Sequence, residues 1–179
     1  MGGPCFTTDE NGELSAPVPS TDNFSQSYPF DLALDTSGAT VRWTSVEAYF
    51  QASKFPASAA HQEAIRTETN IGHVFQLGRT RSVALRDDWE EVKATSMYNA
   101  VKAKFSQNEA ARSELLATTS SLAHPEGGFW GEMNASITER VREELREEMQ
   151  NPPGSSSCAG DQAQGQGQDR DRGASCLLC

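Results

Sequence analysis

Three polar residues that could do chemistry share one face of a predicted helix. Glu47, Gln51 and Lys54 lie three, four and seven positions apart, and these steps return to the same side of an α-helix. A carboxylate and an amine near the aromatic residues Tyr49, Phe50 and Phe55 could transfer protons or act as a nucleophile. The alternative is structural: Glu47 would complete a capping box over Thr44–Glu47, and Lys54 would complement the helix dipole.

Other side chains could contact a ligand. Arg79 ends the segment Gln76–Arg79 beside a predicted turn, where a guanidinium can bind phosphate with two hydrogen bonds; the alternative is an exposed surface arginine. Trp89 lies at the start of a long predicted helix and is expected in the core. Trp130 lies in the glycine-rich segment Gly127–Gly131, where it could stack on a base or fill the core.

Several other mechanisms lack their sequence motifs. The chain has no glycine-rich phosphate loop, no H-E-x-x-H motif and no serine in a nucleophile elbow. Its histidines are scattered without ligand spacing, at positions His61, His73 and His124. We therefore expect neither a metal site, nor a Ser-His-Asp mechanism, nor a cofactor.

The charge of the chain restricts its partners. With 179 residues and a formal net charge of −10, the surface has the wrong average sign for an extended nucleic-acid duplex. A few cations in a cleft could still bind a small anion, or one nucleotide at a single-strand end or flipped from a helix. No apolar run approaches the ~20 residues of a transmembrane helix.

The cysteines indicate a reducing compartment. All four cysteines lie outside the segment expected to fold, so we expect free thiols and a cytoplasmic protein, with the nucleus as the alternative location. The last four residues, Cys176-Leu-Leu-Cys179, fit the outline of a prenylation motif. A lipid anchor at Cys176 is thus the alternative to an unmodified tail.

Composition and periodicity predict one folded unit. Residues 1–21 and 151–179 are rich in Gly, Pro, Ser and polar residues and are expected to be disordered, which leaves a domain over 22–150. A β-hairpin is expected from Phe30–Asp35 and Thr40–Trp43 around a turn at 36–38. Helices are expected at about 44–55, 58–68, 71–77, 86–105, 107–118 and from Asn134 to about 150. The predicted fold is mainly α with a small β-hairpin (α+β).

Two predicted helix starts and one apolar stripe are specific enough to be tested. Ser106–Glu109 reads as a capping box, and Asn134 as the cap of the last helix. An i, i+4 stripe should face the core from that helix, with the members Ile137, Val141, Leu145 and Met149.

The order of these motifs resembles the NADAR (YbiA-like) domain family over about residues 22–150. The matching motifs are V-E-x-Y-x-Q-x-x-K-F in Val46–Phe55, L-G-R in Leu77–Arg79, L-R-x-D-W in Leu85–Trp89 and F-W-G in Phe129–Gly131. The resemblance implies a mainly helical fold and a metal-free N-glycosidase. Such enzymes cleave the base–ribose bond of early riboflavin-pathway intermediates, or remove ADP-ribose from guanine in nucleic acid.

The resemblance also implies roles for individual residues. Glu47 and Lys54 match the essential carboxylate and lysine, Arg79 a phosphate or ribose contact, and Trp89 and Trp130 walls of the ligand pocket. Lys54 could attack the anomeric carbon to form a Schiff base with Glu47 as acid and base, or Glu47 could stabilise the positive sugar directly.

Two segments depart from the family pattern. Ser25-Gln-Ser-Tyr-Pro29 stands where the family reads S-N-F-Y-P, so Gln26 and Tyr28 become the expected ligand contacts there. After Gly131 the usual glycine-rich loop is nearly absent, and Asn134 stands for its asparagine. We expect a more open pocket. The alternatives to an enzyme are a catalytically weak ADP-ribose- or nucleotide-binding module and a protein-interaction role through the last helix.

Overall fold

A computed structural model describes residues 2–34 and 38–151 of the chain. This part contains six α-helices and two small antiparallel sheets, which confirms the predicted α+β class. The strands are β1 (Cys5–Thr8), β2 (Leu14–Val18), β3 (Phe30–Ala33), β4 (Thr40–Trp43) and β5 (Leu122–Ala123). The helices are α1 (Val46–Ala52), α2 (Ala59–Thr67), α3 (Ile71–Leu77), α4 (Trp89–Gln107), α5 (Glu109–Ala117) and α6 (Phe129–Gln150). Within the described residues, no helix is long and apolar enough to cross a membrane.

The predicted hairpin is present as β3 and β4. The strands pair antiparallel with Phe30 opposite Trp43, and both side chains are fully buried. The indole nitrogen of Trp43 donates to the carbonyl oxygen of Leu32 at 2.9 Å, so this large side chain is buried without losing its hydrogen bond. Two of the expected turn residues, 36 and 37, lie outside the described part of the chain.

The expectation of a disordered N-terminal segment was wrong. β1 pairs with β2 on one side and with β5 on the other, which places Cys5 in the core at 1% exposure. The backbone N–H of Cys5 also donates to the hydroxyl of Thr21 at 2.6 Å. Because β5 comes more than a hundred residues later, no local pattern could show this pairing. The expected tail from 152 onward, with Cys158, Cys176 and Cys179, lies outside the described residues.

Helix α1 forms the centre of the domain. It packs against α2, α3 and α4, and every residue from Val46 to Ala52 is buried. The hydroxyl of Ser45 accepts the N–H of Ala48 at 3.1 Å, so Ser45 is the N-cap and the predicted capping box starting at Thr44 was wrong. Burial on all sides means that the polar residues of α1 lie inside the protein.

Two further predicted caps were also wrong. α5 begins after Asn108 rather than after Ser106, and the amide of Asn108 donates to backbone carbonyls, including that of Pro29 at 3.0 Å. α6 begins at Phe129, so Asn134 lies inside the helix and is buried. Continuous helical hydrogen bonds run from Phe129 onward, so α6 includes the end of the glycine-rich segment Gly127–Gly131 whose composition is typical of a loop.

The apolar stripe of α6 was only partly right. Its first three members are buried, but Met149 is 68% exposed because the helix runs beyond the core there. The outer face is held by ion pairs, including Arg140–Glu144 at 2.9 Å and Lys102 of α4 with Glu148 at 2.7 Å. Exposed pairs of this kind stabilise a helix only slightly.

A fully buried lysine lies at the end of α4. Lys104 donates through Nζ to the carbonyl oxygen of Asp22 at 3.3 Å, and Nζ lies 4.9 Å from the ring centroid of Phe105. Burial lowers the pKa of Lys104 to about 7, against the opposing charges of Asp22, Cys5 and Glu114.

The buried lysine predicts how stability varies with pH. An unfolded lysine keeps its proton up to about pH 10.4, so between about pH 7 and pH 10 the unfolded chain holds a proton that the folded chain lacks. Stability from this group therefore rises with pH in that window. We expect Lys104→Met to be most stabilising, relative to the unchanged protein, below about pH 7, and the difference to shrink as pH rises. Urea unfolding of both proteins across this range measures the difference, and a constant difference would contradict the assignment.

Candidate active site

The polar face of α1 forms a hydrogen-bonded chain inside the domain. Gln51 donates through Nε2 to Oε1 of Glu47 at 2.6 Å, and both side chains are fully buried. Oε2 of Glu47 has no hydrogen-bond partner within the described residues. The carboxylate therefore does not bond back to the start of the helix, and the structural alternative for Glu47 does not hold. A buried polar atom without a partner is costly and needs an explanation.

Lys54 continues the chain from the end of α1 to the surface. Its Nζ donates to Oε1 of Gln51 and to the backbone carbonyl of Gly78, the latter at 3.2 Å. Nζ also lies 5.5 Å from the ring centroids of Phe50 and Trp89. The lysine is thus held by two neutral carbonyls and two aromatic faces.

Burial moves the two ionisable groups of the chain towards their neutral forms. It raises the pKa of Glu47, while the hydrogen bond from Gln51 and the charge of Lys54 oppose the change. It lowers the pKa of Lys54; Glu47 opposes this, and the positive charge of Arg79 adds to it. A carboxyl group that keeps its proton and an amine that loses one are suited to proton donation and nucleophilic attack.

A surface cleft of about 400 Å³ opens beside Lys54, a volume in the range of small-molecule sites. It lies between the end of α1, the segment that follows α3 and the start of α4. The lining residues are Lys54, Phe55, Gly78, Arg79, Thr80, Arg81, Val83, Ala84, Leu85 and Trp89.

The segment between α3 and α4 is anchored to the end of α1. The backbone N–H of Arg86 donates to the carbonyl oxygen of Lys54 at 3.0 Å, and the side chain of Arg86 pairs with Asp88 at 2.6 Å. Trp89 packs against Phe50 with ring centroids 4.9 Å apart. These contacts fix the cleft wall relative to the lysine.

Two arginines give the cleft a positive wall. Arg79 and Arg81 both line it, and neither makes a salt bridge or side-chain hydrogen bond within the described residues. The guanidinium carbon of Arg79 lies 5.2 Å from the ring centroid of Phe75. Guanidinium groups without acidic partners are suited to binding an anion such as phosphate.

Besides Trp130, three of the expected ligand-contacting side chains do not line the cleft. Gln26 is exposed and donates to the carbonyl oxygen of Thr69 at 2.8 Å. Tyr28 is half-buried against the core, and Asn134 is buried within α6. The structure thus brings together Glu47, Lys54, Arg79 and Trp89 but not these three.

Trp130 stands in the first turn of α6, behind the cleft wall. It packs edge-on against Phe50 at 5.1 Å between centroids, and Phe129 packs on its other side at the same distance. Trp130 therefore supports the ring on which Lys54 lies, and it is absent from the cleft lining.

Asn23 also contacts the start of α1, although it was not among the expected site residues. Its carbonyl oxygen accepts the N–H of Glu47 at 3.0 Å, and its buried amide lies 3.8 Å from the sulfur of Met97. The Asn-Phe pair at positions 23 and 24 was the available signal, because it preserves two residues of the S-N-F-Y-P pattern that was aligned with Ser25–Pro29. Asn23, rather than Gln26, contacts α1.

Gly78, the residue that follows α3, leaves room for the side chain of Gln51. A Cβ atom at this position would lie 1.7 Å from Oε1 of Gln51, so only glycine lets the chain pass the buried amide. Within the described residues, no group of three or more His, Cys, Asp or Glu side chains is placed to hold a metal ion.

Known proteins with similar sequences include several that are named N-glycosidases. The Escherichia coli protein named N-glycosidase YbiA is 39% identical over 93 residues, which cover 50% of this chain and 58% of that protein. An N-glycosidase of Nostoc punctiforme is 37% identical over 94 residues, 50% of this chain and 60% of that protein. A chloroplastic riboflavin biosynthesis protein of Zea mays is 33% identical over 121 residues, 60% of this chain and 19% of that protein. The matches thus span less than two thirds of these relatives.

Comparison of structures and of family patterns covers more of the chain. The NMR structure of Escherichia coli YbiA superposes with a TM-score of 0.61 at 30% identity, covering 80% of this chain and 83% of that one. The NADAR domain pattern matches residues 11–153, which include the described strand β2 and all six helices. The chain therefore belongs to the NADAR domain family.

Proposed function

We propose that this protein is an N-glycosidase that cleaves the bond between a base and a phosphorylated ribose. The observation that carries the proposal is the buried hydrogen-bonded chain from Glu47 through Gln51 to Lys54, which ends at a cleft with a positive wall. Relatives named N-glycosidases support the reaction class.

The positive wall supports a phosphorylated substrate. Arg79 and Arg81 would bind the phosphate or diphosphate, and Trp89 would offer an apolar face to the sugar or base. Phosphate binding at this wall would hold the anomeric carbon near Nζ of Lys54, so that the reacting atoms are oriented before bond breaking.

The reaction would proceed through Lys54. Its neutral amine forms a bond to the anomeric carbon, the bond from that carbon to the base nitrogen breaks, and Glu47 gives its proton to the departing base. Because Glu47 is buried and does not line the open cleft, this step requires the bound base to reach past Lys54 to Oε2 of Glu47. The ring oxygen then leaves the anomeric carbon and takes up the proton that the attached nitrogen loses, so that the opened sugar carries a hydroxyl group and a Schiff base joins Lys54 to the anomeric carbon. Water then adds to this carbon with Glu47 accepting a proton, and the sugar aldehyde leaves the regenerated amine.

Two substrates fit this chemistry. One is a ribosylamino-pyrimidine phosphate of riboflavin synthesis, a choice supported by the name of the Zea mays relative. The other is ADP-ribose on guanine, for which the cleft opens directly to the surface. The net charge of −10 favours a free metabolite, a single-strand end or a flipped base over an extended duplex.

A nucleotide-binding module without turnover is the second candidate. α6 runs unbroken from Phe129 through Asn134, so the glycine-rich loop expected from the family resemblance is absent from this edge of the site. A cleft that excludes water less completely would bind the same anion but accelerate bond breaking less.

Turnover is expected to depend on Lys54. We expect the unchanged protein to release base from at least one of the two substrates, and Lys54→Ala to lower the rate about a hundredfold or more because the nucleophile is gone. Borohydride added during turnover should reduce the Schiff base and attach the sugar to Lys54, which peptide mass spectrometry detects.

The matched control is Lys102→Ala, since Lys102 pairs with Glu144 and Glu148 on the far surface of α4 and should leave turnover unchanged. If neither substrate reacts while nucleotides raise the melting temperature of the folded protein, the binding module replaces the enzyme.

Turnover is also expected to depend on pH through Glu47 and Lys54. In the reactive form, the carboxyl group of Glu47 and the amine of Lys54 together carry one titratable proton. The value of kcat/KM should therefore fall at low pH, where the pair binds a second proton, and at high pH, where it loses the remaining one. The raised pKa of Glu47 places the acid limb above the ordinary carboxyl range, and the lowered pKa of Lys54 places the alkaline limb below the ordinary lysine range. Arg79→Gln removes a positive charge near Lys54 and should move the alkaline limb to higher pH. A limb that Arg79→Gln leaves in place would count against Lys54 as its source.

A further inference from the structure

Gln51 has a fixed orientation between two ionisable groups. The amide turns its NH₂ to Glu47 and its oxygen to Lys54, the orientation that suits a carboxylate acceptor and an ammonium donor. No salt bridge joins Glu47 to Lys54 directly in the described part of the chain. The hydrogen-bonded connection between acid and amine therefore passes through this amide.

The amide determines where the proton of neutral Glu47 sits. Oε1 accepts the N–H of Gln51 at 2.6 Å and is already occupied, whereas Oε2 has no partner in the described structure. When Glu47 is protonated, the proton therefore belongs on Oε2. Without Gln51 the two carboxyl oxygens of Glu47 would be nearly equivalent, and the proton could sit on either of them.

The same amide directs the amine. Nζ of Lys54 donates to Oε1 of Gln51 and to the carbonyl of Gly78, and a neutral amine has two N–H bonds and one lone pair. With both N–H bonds held by carbonyl oxygens, the lone pair takes the remaining tetrahedral position. Because Lys54 lines the cleft, this is the position left for an electrophilic carbon.

We propose that Gln51 is a positioning residue that places the proton of Glu47 on Oε2 and directs the lone pair of Lys54 for attack. Its role in turnover rests on the proposed N-glycosidase function, whereas its effect on Lys54 does not require a substrate. Gly78 completes the arrangement, because the absence of a side chain leaves room for the amide within contact of its Cα.

Other charges near Lys54 must be kept constant in a test. Glu47 faces it from α1, Arg79 and Arg81 from the segment after α3, and the Arg86–Asp88 pair from the start of α4. Replacing Gln51 by Met removes both hydrogen bonds, keeps a similar length and volume, and changes none of these charged residues. Loss of the bond to Oε1 raises the pKa of Glu47 further, and this acts on the pKa of Lys54 in the same direction as the lost acceptor.

The deciding experiment measures the titration of Lys54 without substrate. The full chain is acylated briefly with acetic anhydride across a pH series, and peptide mass spectrometry follows the fraction modified at Lys54. Loss of an acceptor destabilises the ammonium form, so Gln51→Met should lower the midpoint by about one pH unit. Single-turnover rates should fall about tenfold or more because the amine is no longer held.

A second variant tests the same amide without changing its chemistry. In Gly78→Ala the new Cβ would displace the Gln51 oxygen, so the midpoint should move in the same direction. Gly127→Ala is the matched control, because a Cβ there meets no atom within 4 Å and should change nothing. Circular dichroism checks that each variant folds. If Gln51→Met does not fold, the result with Gly78→Ala decides the test.

The outcomes separate the two proposals. A shifted Lys54 midpoint in a protein that turns over neither substrate supports the positioning role and overturns the glycosidase. Turnover in the unchanged protein, with an unshifted midpoint and an unchanged pH profile in Gln51→Met, overturns the positioning role and leaves the glycosidase standing.

Discussion

Helix α1 is buried on every side, and this burial governs how the candidate site is built. A helix in this position must satisfy its polar side chains internally, because water cannot reach them. Glu47, Gln51 and Lys54 do so as one hydrogen-bonded chain that runs along the helix and reaches the surface only at its lysine end. Because α1 is packed into the core, its surroundings have low polarity. This low polarity shifts the pKa values of Glu47 and Lys54 so that both groups favour their neutral forms.

The elements around α1 each keep that chain in place. α3 ends at Gly78, which accepts a hydrogen bond from Lys54 and leaves space for Gln51. α4 begins with Trp89, which packs on Phe50 beneath the lysine, and α6 begins with Trp130, which supports the same ring. Packing and chemistry are therefore linked here, since the aromatic residues that stabilise the fold also form the apolar surroundings of the amine.

Several parts of the site could be predicted because they depend on local spacing. The common face of Glu47, Gln51 and Lys54 follows from helical geometry, and the placement of Arg79 beside a turn follows from Gly78. Asn23 and the true position of Trp130 could not be predicted in this way. Asn23 contacts α1 from a chain segment that has no helical or strand periodicity. Trp130 lies in the first turn of α6, but the two glycines that precede this turn are typical of a loop.

The α+β class, the hairpin, most helices and the family could be read from the sequence alone, because short-range periodicity and ordered motifs encode them. The tertiary structure was needed to show the strands β1 and β2, since β1 pairs with β2 and also with β5, which lies more than a hundred positions away. It also decided that Glu47 accepts from Gln51 instead of capping its helix, and that Gln26, Tyr28 and Asn134 lie away from the cleft. Those outcomes depend on which distant parts of the chain pack against each other. The pKa shifts of Glu47 and Lys54 depend on burial, and these side chains are buried only once that packing has formed.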